Sequence, residues 1–496
     1  MKRITLSLFA IIQLAGVSAL AGPFVPAGDI GLRNDIQLLA DAGIITGTVT
    51  TWPLAWGPIL EDLDRANRAD ADPAVLDAIA RLRARSGSST VLDQTRYRAS
   101  AAFSSNPRQI RGYDDASRGE TDLGLGLSWM SSSFSTDVRA QFVTSEIDGT
   151  ELRFDGSHIG VAVGNWSLSA STMDRWWGPG WDGSLILSNN ARPIPSLVVD
   201  RIFTDPFESR WLSWLGPWDL TAMMGQLEEE RFVPSTLFFG MRVAFRPFSR
   251  LEIGVSRTAQ WCGDGRPCDF DTFAKLLFGQ DNVGGSGIDV NNEPGNQLAG
   301  FDARLSFRLF GQQMATYGQF IGEDEAGGFP SRYFAQAGVE WSGRVFGDWS
   351  TRAFMEFAQT DCDVFGENNL EGRECSNYVY FSGIYKTGYR FRGRAIGHTA
   401  DNDSRLLSVG AVANNPDGTV MRAILRTGEL NRIGSPDPRH TLTRRPADLV
   451  SVEFGITKPL KYGIAKVMAG YETREQVVSG ASDNEFQLTI GWQTDF

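Results

Sequence analysis

The sequence predicts an all-β transmembrane barrel of antiparallel strands, preceded by a small N-terminal α-helical bundle. Three observations carry this prediction. From about Thr95 onward the apolar positions recur with a period of two, in runs that reach roughly ten residues, the span of a tilted membrane strand rather than the usual five or six. Beyond its leader, the 496-residue chain has no apolar run long enough to cross a bilayer as a helix. It also closes on a strictly alternating strand, with Phe486, Leu488, Ile490, Trp492, Thr494 and Phe496 on one face and Glu485, Gln487, Thr489, Gly491, Gln493 and Asp495 on the other.

Composition narrows the alternatives. The chain holds 47 Lys plus Arg against 59 Asp plus Glu, a formal charge of −12, whereas a general nucleic-acid binder would be basic. Four cysteines are too few for a disulfide-dense secreted scaffold. A large soluble β-protein and a membrane barrel remain, and the strands favour the second.

Taken in order, residues 1–21 read as a signal peptide: Lys2 and Arg3, an apolar stretch from Ile4 to Val17, and the small-residue site Ala19-Leu20-Ala21. The protein is therefore expected to leave the cytoplasm. Residues 22–90 read as a helical bundle, expected on the periplasmic side as a plug. Leu32, Ile36 and Leu39 share one face of a helix over 29–42, and Pro58 opens a second helix with Ile59, Leu63 and Ala66. Asp72 caps a third, with Pro73 at its first position and Val75, Leu76, Ile79 and Leu82 following, and Ser86-Gly87 ends it. Trp52 and Trp56 fall in the connections.

Residues 91–496 read as the outer-membrane β-barrel. Alternation is clear at 97–103, 123–129, 134–142, 237–245, 301–309, 333–341, 349–357 and 450–456. The polar faces carry Arg304 with Arg308, Arg352 with Glu356, and Arg242 with Arg246, which suits a wet or salt-bridged lumen. Trp129, Phe134, Tyr333, Trp341, Trp349 and Trp492 stand at strand ends, where interface girdles lie. The stretches 104–120, 144–156, 261–298, 359–376 and 430–447 read as loops, with the Gly- and Asn-rich 279–297 as an external one. The terminal Phe496 resembles the signal by which bacterial outer-membrane barrels engage their assembly machinery.

Cys262 with Cys268, and Cys362 with Cys375, each bracket a loop, so local disulfides are expected. Neither spacing suits a metal, and His158, His398 and His440 are scattered singly, so no metal or other cofactor is expected. Walker, Rossmann, Gly-x-Ser-x-Gly and His-Glu-x-x-His motifs are absent, and no catalytic residue is nominated. His158 reads as a hydrogen-bonded wall residue.

The segment 174–193 is the informative one. Seven of the 14 tryptophans (166, 176, 177, 181, 211, 214 and 218) fall within 53 residues, where a membrane girdle would spread them. Trp interleaved with Asp174, Arg175, Asn189, Asn190 and Arg192 has two readings. One is sugar recognition, with indole faces covering pyranose C–H groups and polar side chains meeting hydroxyls. The other is a Trp-Pro-Gly corner packing an infolded loop against the wall.

The run RWWGPGWDGSLILSNNARP, together with GDIGLRNDIQLLADAGII and WGPI near the N-terminus, closely resembles the capsule-assembly Wzi family. The resemblance implies an 18-stranded barrel closed by helices and inward loops. It also implies a non-enzymatic, lectin-like role, attaching exported capsular polysaccharide to the cell surface. Asp174, Arg175, Trp176, Trp177, Trp181, Asn189, Asn190 and Arg192 are the expected glycan-binding or lumen motif. The expected partners are capsular or other surface polysaccharide, outer-membrane lipid and lipopolysaccharide, and the barrel-assembly machinery, with no nucleic acid. Only six basic residues are lysine, leaving 41 of 47 as Arg. That bias suits bidentate recognition of acidic sugars, but equally salt-bridge ladders or a GC-rich genome. A solute-specific sugar porin of similar strand number is the alternative.

Overall fold

The computed structural model describes residues 24–496 apart from 68–70, 146–147, 278–294, 327–328, 346, 362–363, 365–377 and 433–439. The leader, Cys362, Cys375 and most of 279–297 thus lie outside the described residues.

Eighteen wall strands close into one antiparallel barrel. The first six are β1 Arg96–Ser104, β2 Thr121–Met130, β3 Phe134–Thr144, β4 His158–Val163, β5 Trp166–Ser171 and β6 Ser196–Arg201. Then come β7 Trp218–Gln226, β8 Leu237–Phe248, β9 Leu251–Trp261, β10 Gly295–Leu309, β11 Gln312–Ala326 and β12 Phe329–Val345. The last are β13 Trp349–Gln359, β14 Arg405–Asn414, β15 Val420–Leu430, β16 Ala447–Leu460, β17 Gly463–Gln476 and β18 Ser482–Asp495. A two-residue piece, Leu152–Arg153, continues the wall position of β4 alongside β3. Closure runs from Thr489↔Ser104 to Asp495↔Arg98, and Phe496 adds the last rung by exchanging both backbone hydrogen bonds with Tyr97 at 2.9 Å.

The wall is inside-out relative to a soluble protein. Leu125, Val452 and Phe486 face away from the barrel and are exposed, whereas Arg242, Glu340, Arg352 and Arg426 point inward and are at most 1% accessible. An apolar outside with a charged inside is the arrangement of a barrel in lipid. Tight turns at 131–133, 164–165, 249–250, 310–311, 415–419 and 461–462 lie at one mouth with the longer 202–217 connection, and most of the long connections crowd the other.

Helices α1 Ile30–Asp41, α2 Trp56–Arg65 and α3 Pro73–Ser89 fill the short-turn mouth. Asp29 caps α1 by accepting from the Leu32 N–H, and Asp72 caps α3 through the Ala74 N–H. Leu32, Ile36, Leu39, Val75, Ile79 and Leu82 share one core with Trp52, Trp56, Ile59 and Leu63. Polar ties fix this bundle to the wall: Asn34 donates to the Ser350 carbonyl, Asn414 to that of Gly31, and Arg246 to those of Ile45 and Gly47. The approach is so close that a Cβ at Gly31 would strike Val420 at 2.5 Å.

Several sequence expectations need correction. α2 starts at Trp56 rather than Pro58, and α3 runs three residues past Ser86, because neither residue in Ser86-Gly87 costs enough to break a helix already held by packing. Arg352 and Glu356 do share the lumen face, where Arg352 pairs with Glu340 and Asp41. An unforeseen helix, α4 Phe270–Leu277, lies in the connection after β9, with Phe273, Leu276 and Leu277 packed on Phe239 and Trp261. Cys262 and Cys268 form a disulfide just before it.

Candidate functional site

Between β5 and β6 the chain turns into the lumen, and its Trp-rich stretch threads the middle of the barrel. Trp176 and Trp177 pair in antiparallel register with Trp52 and Thr51 from the N-terminal segment. The turn that follows needs Gly178, whose φ of 135° few other residues adopt, and its N–H donates to the Thr50 carbonyl. The three indoles then enter three different apolar clusters. Trp176 joins the helical-bundle core with Tyr113. Trp177 packs with Leu185, Ile186, Phe238 and Tyr389. Trp181 packs with Tyr317, Phe354 and Ile424 of the wall. One loop thereby joins the bundle, the inward loops and the barrel.

Charged side chains secure its backbone, which would otherwise be orphaned away from water. Arg33 of α1 donates to the Pro179 and Gly180 carbonyls at 2.9 and 2.8 Å, with its guanidinium 4.2 Å from the Tyr113 ring and 4.3 Å from Trp181. Burial pulls the Arg33 pKa down, and the aromatic faces and carbonyl dipoles compensate its charge. Opposite, the Glu356 carboxylate accepts the N–H groups of Trp181, Asp182 and Gly183 at 2.7, 3.2 and 2.7 Å, a backbone nest around an anion. Gln319 accepts from Leu185 and donates to the Trp177 carbonyl. Arg118 donates to three successive carbonyls, those of Asn189, Asn190 and Ala191.

Each nominated residue has a definite place. Arg175 faces Asp200 of β6 at 3.2 Å, and Arg192 grips Asp155 at 2.8 and 2.9 Å. The Trp181 indole N–H donates to Glu340. Asn189 and Asn190 donate to the carbonyls of Tyr113 and Ala395. Asp174 is half-buried, and burial pushes its pKa up to about 7 despite the nearby Arg118. Trp176, Trp177 and Trp181 are at most 1% accessible, so their faces meet protein, and a sugar could reach them only if the loop withdrew.

A second inward loop, 378–404, covers this one from the long-loop mouth. Tyr380 and Tyr389 donate their hydroxyls to the Leu185 and Ile186 carbonyls, and Ser188 bonds to Ile396 and Gly397. Sequence reasoning missed this cover, although four tyrosines (378, 380, 385 and 389) within twelve residues mark it. It also missed Arg33, Arg118, Arg426 and Glu453, whose partners lie far away along the chain.

The lumen faces of β8, β9, β13 and β14 are buried beneath these loops, as at Arg242, Thr258, Glu356 and Ser408. Those of β1–β3 keep partial access at Ser100, Asp122 and Arg139, but Ser104 and Val143 are buried at their long-loop end. Ser404 meets His440 at 3.4 Å, yet His440 Nδ1 accepts the N–H groups of Leu442 and Thr443, so its Nε2 carries the proton and offers Ser404 no base. Among the described residues, no group of three or more His, Cys, Asp or Glu could hold a metal ion. His158 lies in the wall against Ser135, edge-on to Phe24.

The family model "Capsule assembly protein Wzi" matches residues 94–488. A solved structure of Wzi from Escherichia coli, an outer-membrane protein involved in group 1 capsule assembly and a carbohydrate-binding β-barrel, superposes with a TM-score of 0.82 at 25% identity, covering 96% of this chain and 100% of that one. An uncharacterized 55.8 kDa protein from the cps region of Klebsiella pneumoniae is 32% identical over 342 residues, 68% of this chain and 65% of that protein. The chain thus spans about 65% of the length of that curated relative. Pseudomonas aeruginosa OccK5 is a more distant structure, with a TM-score of 0.43 at 9% identity over 82% of this chain and 99% of that one.

Proposed function

Because the chain belongs to the capsule assembly protein Wzi family, we propose that it is an outer-membrane, lectin-like barrel that binds exported capsular polysaccharide and holds it on the cell surface without catalysing a reaction. The filled lumen is the observation that supports this reading best. A porin needs a wet path between its mouths, whereas here the two inward loops and the bundle occupy the lumen with buried tryptophan, tyrosine and paired charge. Polysaccharide would then meet the outer mouth, not the lumen. In this reading 174–193 is a packing corner that keeps the outer loops in shape, and its tryptophans act on glycan only through them.

Residues 1–21 serve as a cleaved signal peptide, and the helical bundle is a plug at the periplasmic mouth, since short turns face the periplasm in barrels of this kind. Phe496, the last rung of the closing ladder, engages the assembly machinery, and the apolar belt meets lipid and lipopolysaccharide. Deleting the gene in the encapsulated source cell tests the reading. Exported polysaccharide should move from the cell-bound to the released fraction and return on complementation. An unchanged cell-bound fraction with impaired uptake of a sugar would favour the porin.

A further inference from the structure

The loop that covers the Trp motif also forms part of the outer face of the long-loop mouth, and three cations sit over aromatic rings along it. Arg332, at the long-loop end of β12, lies 4.0 Å from the Tyr378 ring. Lys386 Nζ lies 4.6 Å from the ring of Phe232, which belongs to the β7–β8 connection. Arg392 lies 5.6 Å from Phe391. Phe232 is 57% accessible and Lys386 is exposed, while Arg332, Tyr378 and Arg392 are half-buried.

This rim is hydrogen-bonded from beneath. Arg231 donates to the Gly388 and Arg390 carbonyls, both at 3.2 Å, and the Phe232 N–H donates to Thr387 Oγ1 at 2.9 Å. Tyr385 donates to the Cys262 carbonyl beside the disulfide, and Arg392 to Thr150 Oγ1 of the β3–β4 connection. Four connections are thereby knitted into one surface. Among the described residues, no carboxylate lies within ion-pair distance of Arg332, Lys386 or Arg392; Glu228, beside Arg392, pairs with Arg231.

Resting on the attachment reading, we propose that this rim seats an acidic polysaccharide. The open face of Phe232 takes the apolar side of a pyranose, and Lys386, Arg392 and Arg332 take carboxylates of uronate or pyruvate-bearing units. A cation parked on a ring in water keeps its charge for an incoming anion, and the ring beside it supplies the apolar half of sugar recognition. A neutral glycan would bring these three cations no anion, so the chemistry selects an acidic chain.

The test uses the full-length barrel in detergent, with alginate as the acidic probe and dextran as the neutral one. The wild type should bind alginate, and more weakly as salt rises. Replacing Arg332, Lys386 and Arg392 together by Gln should weaken alginate binding about tenfold, from a few-fold per exposed ion pair, while heat-modified gel mobility stays that of the folded wild type. Phe232→Ala should weaken binding further at any salt. A triple variant that folds and binds alginate like the wild type overturns the proposal. Wild type that binds dextran but not alginate also overturns it and leaves the attachment reading standing. Wild type that binds neither probe, nor the polysaccharide purified from the source cell, overturns both.

Discussion

Asp182 and Arg426 face each other inside the barrel in a bidentate pair, with Nε and Nη2 of the arginine donating to the two carboxylate oxygens at 2.7 Å each. Asp182 comes from the inward loop and Arg426 from wall strand β15, 244 residues away. Arg426 also reaches Glu453, which Arg108 and Arg422 share, so the loop is docked onto a buried network of alternating charge. Burial alone would push the Asp182 carboxyl up, but Arg426 holds it below the usual range.

Removing one partner strands a buried charge, so Asp182→Ala should destabilise the barrel by about 3–5 kcal/mol. Adding Arg426→Met should cost much less than the sum of the two single changes. Urea midpoints in detergent for the four members of the cycle check this. Strict additivity would mean that the pair does not dock the loop.

Trp176→Ala should open a cavity where the helical core, Tyr113 and the motif meet, at about 3–5 kcal/mol. Trp211 belongs to the same tryptophan-dense region but is 83% accessible, so Trp211→Ala should change stability by less than about 0.5 kcal/mol. Heat-modified gel mobility ranks the two. Equal effects would contradict the placement of Trp176 as a joint between cores.

How much of this was legible in the sequence follows from the range of each interaction. The long strands announce themselves because lipid on one side and lumen on the other enforce period two, as at 450–456 and 485–496. β4, at 158–163, still shows its alternation, but β5 and β6 have only six residues each, too few for the pattern to stand out. α4 was missed because an eight-residue amphipathic helix between a disulfide and a glycine-rich stretch gives little periodic signal. In the site, tryptophan density marked the loop, but its function as a joint depends on Arg33, Arg118, Glu356 and Arg426, which only the closed barrel brings together. Arg352 shows the limit: the pattern put it on the lumen face, but only the closed barrel brings it to Glu340 and Asp41.

Acid stability should carry a signature of the inward loops. His398 is buried, its pKa lowered to about 4, and its Nδ1 accepts the Ala400 N–H as a neutral ring does. The unfolded chain therefore binds the proton more tightly. Stability is fully present above the ordinary 6.5 and is lost as pH falls toward 4, by about 3 kcal/mol. Asp174 acts the other way, since its raised pKa of about 7 gives stability at low pH that is lost as pH rises through 7. The two offset each other in the wild type, so the difference between wild type and His398→Gln is the quantity to measure, at pH 7.5 and 4.5. It should shift toward the variant in acid; a pH-independent difference would show that His398 is not held neutral.

Non-reducing peptide mapping should return a Cys262–Cys268 link and, as a proposal from spacing, a Cys362–Cys375 link. Replacing Cys262 and Cys268 by Ser should cost about 2 kcal/mol, the loop-closure value for so short a ring. A Cys262–Cys375 link would reject the local pairing.

Current across a planar lipid bilayer tests the closed attachment barrel most directly. Purified wild type should insert without resolved conductance steps, and a variant with the loop undocked, Asp182→Ala with Glu356→Ala, should show them. Long-lived steps of uniform size from the wild type, blocked by a small sugar, would contradict the account and make the protein a porin.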